Sequence, residues 1–184
     1  MDDEPDPKIL DWLGNDARGV PYYLCPLNLG WSEAGAARDL EIFRRAAARL
    51  AEEPAYWAEI IRTANWRHSL AGCACLLASR TRGFFDDLCF RFNAGSFVSP
   101  QIAVTLGLLH GAKAAAFFES ALNNAQLRPK ELASAHRVLL CMGERPPREI
   151  VADTWSGLDR DDAITGDAVA AEQWDFWKGV VEGN

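Results

Sequence analysis

One apolar phrase recurs three times along the chain: Leu70-Ala71 with Leu76-Leu77, Ile102-Ala103 with Leu108-Leu109, and Leu132-Ala133 with Val138-Leu139. The copies start 32 and then 30 residues apart. A period of that size marks a helix pair too small to bury its own apolar face, so stability has to come from stacking on the next copy. A second phrase keeps step with the first, since Phe84-Phe85-Asp86 and Phe117-Phe118-Glu119 lie 33 residues apart. The sequence therefore predicts an all-α chain, built as a short right-handed α-solenoid of stacked antiparallel helix pairs.

Breakers and caps place the elements. Residues 1–31 carry Pro5, Pro7, Pro21 and Pro26 with Gly14, Gly19 and Gly30, which leaves room for one short helix near Ile9 to Leu13 and makes the rest irregular. A leading helix pair fills 32–64: Ser32 caps a first helix with Leu40, Phe43, Ala47 and Leu50 on one face, and Pro54 opens a second with Trp57, Ile60 and Ile61 inward. Three helix-pair repeats follow over 65–155. Asn65 caps the first, with the stripe Leu70, Ala74 and Leu77, and Gly83 separates it from a helix carrying Leu88 and Phe92. Ser99 caps the second with Pro100 at its first helical position, and Gly111 leads into Phe117, Phe118 and Leu122. The third begins at Pro129 with Leu132, His136 and Leu139, and passes Pro146-Pro147 into Ile150, Val151 and Trp155. Residues 156–184 read as an acidic loop around Asp159, Asp161 and Asp162. A final helix capped by Asp167 follows, whose Ala170, Trp174, Trp177 and Val181 close the stack.

In Asn65 to Leu77, and in Gly95-Ser96-Phe97-Val98-Ser99-Pro100-Gln101 through Leu109, the chain resembles the HEAT-like bacterial helical-repeat proteins, over roughly residues 65–155. The resemblance implies a curved stack that works by offering a surface to a protein partner, as scaffold or inhibitor. It carries over no catalytic residue.

Charge is unevenly spread. Residues 1–20 hold six acids and two bases and residues 149–184 nine acids and two bases, whereas 21–148 hold eleven acids and fifteen bases. With a net charge of −7 the whole chain repels a phosphate backbone, so nucleic acid is an unlikely partner. No uninterrupted apolar run approaches the roughly 18 residues of a membrane span, and the acidic N-terminus is unlike a secretory signal. A cytoplasmic protein is the expectation. Five cysteines, an odd number with no CxxC pair, read as reduced thiols packed in the interior. No metal-ligand spacing, phosphate loop or nucleophile motif appears, so no metal or cofactor is expected.

The leading expectation is a non-enzymatic protein-interaction module, of immunity or inhibitor type, for a basic partner. Its candidate contacts come from registering the second helices: Asp86, Glu119 and Asp153 fall at equivalent places, with Arg91 and Asn123 beside them. Two alternatives stand. An enzyme site between repeats is one, either Cys-His, with His136 on the inward stripe paired with Cys75 or Cys141, or a pair of carboxylates meeting in space. Arg44, Arg45 and Arg49 would form a basic strip for nucleic acid. His68 and His110 read as helix-end residues.

Overall fold

The computed structural model describes residues 8–16, 19–29, 35–124 and 126–183. Among them it is all-helical, with no strand and a lone antiparallel bridge between Asn15 and Pro21. The helices are α1 (Lys8–Leu13), α2 (Cys25–Asn28), α3 (Ala36–Glu52), α4 (Pro54–Arg62), α5 (Trp66–Ser79), α6 (Phe85–Ala94), α7 (Ser99–His110), α8 (Ala112–Leu122), α9 (Pro129–Cys141) and α10 (Gly157–Glu182). Ser32 and Trp31 lie outside the described residues. No described helix is long and apolar enough to cross a membrane.

Helices α5, α7 and α9 stand side by side. Behind them lie α4, which packs on α5 and α6, then α6 against α7, and α8 against α7 and α9. In front lie α3, on α5, and the long α10, which crosses α9, α7 and α5. Two helices are thus enclosed on every side. Every residue from His68 to Ala78 in α5 is buried, as is every residue of α7 from Ser99 to Gly107. A helix that is apolar all round belongs inside a protein, and only a further layer can cover its second face. The tryptophans of α10 supply that cover, Trp174 being 7% and Trp177 1% exposed.

Close approach at the centre depends on glycine. A Cβ on Gly107 would sit 2.6 Å from Val138 Cγ1 and 2.8 Å from Trp174 Cζ3, where α7, α9 and α10 converge. A Cβ on Gly166 would meet the Lys130 carbonyl oxygen at 2.6 Å, so α10 lies against the α9 backbone there. Amides fasten the front layer: Gln173 Nε2 donates to Pro26 O at 2.6 Å, Gln101 Nε2 donates to Leu27 O at 3.2 Å, and Trp177 Nε1 donates to Gln173 Oε1 at 3.0 Å. Arg80, in the left-handed conformation that ends α5, donates to Val180 O at 2.9 Å and holds the far end of α10.

Four expectations are corrected. The third unit has no second helix: residues 143–156 form a linker with one 3-10 turn, Ala152–Thr154, because Pro146-Pro147 removes two amide donors and keeps the preceding residue out of helical geometry. The acidic stretch after Ser156 is not a loop. Helix α10 starts at Gly157, and Asp159 in its first turn suits the positive end of the helix dipole. Asp167, expected as its cap, lies inside it. Ser99 is likewise within α7, whose cap is Val98, and its hydroxyl is engaged elsewhere. Asn65 caps α5 as expected, accepting from the Arg67 amide at 3.1 Å.

Gly107→Ala is expected to lower stability by about 1–3 kcal/mol through overpacking, despite the better helix propensity of alanine. Gly179→Ala, in α10 with nothing within 4 Å of its Cβ, is expected to raise it by about 0.5–1 kcal/mol. Urea unfolding of the two variants checks the opposite signs.

Candidate functional site

The missing helix leaves one side of α9 uncovered, and the linker folds back over it. His136 is the consequence. Its counterparts Ala74 and Leu106 are buried, but His136 is only half-buried and lies where two concavities meet. The first, about 380 Å³, is walled by Ala133, Ile150, Val151, Ala163, Ile164 and Ala168. The second, about 460 Å³, is walled by Leu140, Arg145, Pro146, Pro147, Arg148 and Glu149. Between α9 and α10, Arg137 grips Asp167 with two parallel bonds, Nε to Oδ1 at 2.8 Å and Nη2 to Oδ2 at 2.6 Å. That bidentate pair fixes the back of the first concavity. Arg137 is held above its ordinary range by its bond to Asp167. His136 is lowered by burial, with Asp167 opposing.

The sequence-predicted contacts do not gather. Asp86 on α6 is exposed, with its carboxylate 4.0 Å from Lys113 Nζ. Glu119 on α8 is exposed, and Asn123 Nδ2 donates to its backbone oxygen at 3.1 Å. Asp153 is in the linker and accepts from Arg160 at 2.8 Å, so it does not extend a line from α6 and α8. Arg91 turns inward and is 8% exposed; burial lowers its pKa, Arg128 adds to the effect and Glu131 opposes it.

Arg91 belongs to a buried polar cluster that the sequence did not reveal. Glu131, in the first turn of α9, is fully buried. Its Oε1 accepts from the Ser96 amide at 3.3 Å and from Arg128 Nη2 at 2.9 Å, and lies 2.6 Å from Ser99 Oγ. This carboxylate ties the α6–α7 turn and the start of α7 to α9. The available signal was an acid three residues after an arginine at a proline-opened helix, a pattern that reads as an exposed first-turn pair. Glu131→Ala is expected to cost about 3 kcal/mol, because the Ser96 amide and Ser99 hydroxyl lose an acceptor and Arg128 its anion. Arg128→Met leaves the fully buried carboxylate without its cation and is expected to cost about 2 kcal/mol, less than the loss of a wholly buried pair because the Arg128 side chain is 58% exposed. Urea unfolding measures both.

Four of the five thiols are poised against nucleophilic chemistry. Burial pushes Cys73 and Cys89 up to about 12 and raises Cys75 and Cys141 as well. An activated thiol is displaced the other way. Cys73 and Cys75 are buried, whereas Cys25, Cys89 and Cys141 are only partly so, which corrects the expectation of five interior thiols. His136 forms no hydrogen bond to a thiol among the described residues. Of the expected basic strip, Arg44 and Arg45 lie against Glu41, at 3.8 and 3.4 Å, and Arg49 lies over Trp12. Among the described residues no group of three or more His, Cys, Asp or Glu is arranged to hold a metal ion.

Compared with protein-family models, curated proteins and solved structures, the chain matches none.

His110 and His136 are both held below the ordinary histidine range by burial. Just below about pH 6.5 the unfolded chain binds more protons than the folded one, so these two residues make stability fall as pH falls. The urea midpoint is expected to drop between about pH 7.5 and about pH 5.5, and His110→Asn/His136→Asn to flatten that slope.

Proposed function

We propose that the protein is a non-enzymatic protein-interaction module of inhibitor or immunity type, and that it docks its partner with the side of the molecule along which the linker runs back over α9, from the last turn of α9 to the start of α10. In this reading α5 to α9 are a short HEAT-like stack closed in front by α10, and the incomplete third unit is the working side. What supports the stack is the alternation of α5, α7 and α9 in one layer with α4, α6 and α8 in the next.

One observation carries the docking reading. Among the described residues, four of the seven exposed large apolar side chains fall between positions 140 and 164: Leu140, Val151, Leu158 and Ile164. Two of the remaining three, Phe90 and Phe97, lie beneath cations, Arg62 at 5.6 Å and Lys130 at 5.2 Å. Leu158 is 84% exposed. An apolar group left in water without cover loses roughly 25 cal/mol for each Å² that a partner would bury, and concentrations of such groups mark interaction sites.

A photo-crosslinking residue at Val151 or Leu158, expressed in the native cell, is expected to form an adduct of one defined mass, and the same residue at Phe90 none. Leu158→Lys with Val151→Lys should abolish crosslinking from Ile164 without changing the circular dichroism. Crosslinking from Glu119 in place of Val151 would move the interface to the acidic α6–α8 side and contradict the reading.

A further inference from the structure

The two concavities beside His136 differ in chemistry, and the difference specifies an occupant. The acids of the surrounding wall are largely spoken for. Asp153 pairs with Arg160, Asp162 with Lys130 at 3.4 Å, and Asp167 with Arg137. The cations of the second concavity are not. Arg145 and Arg148 make no ion pair and no hydrogen bond with any described residue, and the single acid on that wall is the exposed Glu149. They flank Pro146-Pro147, whose rings fix φ and hold the two guanidinium-bearing positions on a stiff stretch of backbone, so little freedom is left to lose when an anion arrives. A planar guanidinium offers paired donors that match a carboxylate. The first concavity, directly across His136, is lined by alanine, valine and isoleucine, and its one polar wall, the Arg137–Asp167 pair, is already satisfied.

We infer that this cleft takes a segment of the protein partner in which a carboxylate adjoins an apolar side chain, the apolar group entering between α9, Val151 and Ile164 and the carboxylate meeting Arg145 and Arg148. The inference rests on the docking reading of the same side of the molecule and names what the partner must present there. The carboxylate belongs either to the partner's chain terminus or to an aspartate or glutamate side chain. Both have the same chemistry at the cleft, and the probes below separate them.

Three probes are titrated into isotope-labelled protein and followed by the methyl signals of Ile150, Val151 and Ile164: N-acetyl-leucine, which carries a terminal carboxylate; N-acetyl-leucyl-aspartyl amide, which carries a side-chain carboxylate; and N-acetyl-leucinamide, which carries none. At least one carboxylate probe is expected to shift these methyls with an affinity about tenfold or more above that of the neutral amide. The better of the two identifies the source. Arg145→Gln with Arg148→Gln, two exposed linker substitutions whose fold is checked by circular dichroism, is expected to remove that tenfold preference and leave the weak binding of the neutral probe. Equal binding of all three probes, preference unchanged in the double variant, or no methyl shift at saturating probe overturns the inference. Crosslinking from Val151 without carboxylate preference would overturn the inference and leave the docking reading standing. Carboxylate preference without any crosslink would support the cleft chemistry and remove the docking reading.

Discussion

Helix α7 has no face in water, and the rest of the structure follows from that. Its neighbours come from both sides, α6 and α8 behind, α5 and α9 alongside, α10 in front. The side chains that would ordinarily hold helices roughly 8–10 Å apart are absent at Gly107, so Val138 and Trp174 close on the backbone itself. Trp174 also explains why α10 is long. A helix of 26 residues spans about 39 Å, enough to cross α9, α7 and α5 in one pass and be held at its far end by Arg80.

The same constraint separates the complete units from the incomplete one. Where α4, α6 and α8 cover α5 and α7, every residue from His68 to Ala78 and from Ser99 to Gly107 is buried. Where Pro146-Pro147 blocks a matching helix, α9 keeps a partly wet side, with His136 and Arg137 on it and a linker in place of a packed neighbour. The buried carboxylate of Glu131 sits at the other end of α9, close to the α6–α7 turn, and anchors the helix from there. One end of α9 is thus fastened by a buried charge, while the side facing the linker keeps His136 and Arg137 only partly covered.

Much of this was legible in the sequence. Spacing placed the inward stripes of α3 through α9, and Asn65, Pro54 and Pro129 marked true helix starts, because local capping and apolar periodicity are properties of short windows. What failed was what depends on contacts across the fold. The acids after Ser156 read as solvated loop by composition, yet they are tolerated in α10 because they lie near its start and two of the later ones meet Lys130 and Arg137. Arg91 read as a surface donor by its repeat register, yet its helix turns it toward Glu131, an attraction between residues 40 apart that no window contains. The cleft was invisible for the same reason: its cations come from the linker and its apolar wall from α9, α10 and the linker together.

Hydrogen exchange of the free protein, resolved by residue, tests most directly whether α7 is the enclosed axis and the linker the uncovered edge. The account predicts that amides of α7 and the middle of α5 exchange only through global unfolding, with free energies equal to that from urea denaturation, while those of residues 143–156 exchange many orders of magnitude faster. Exchange of α7 at the rate of α3 or α8, or protection of the linker equal to that of α7, would contradict it.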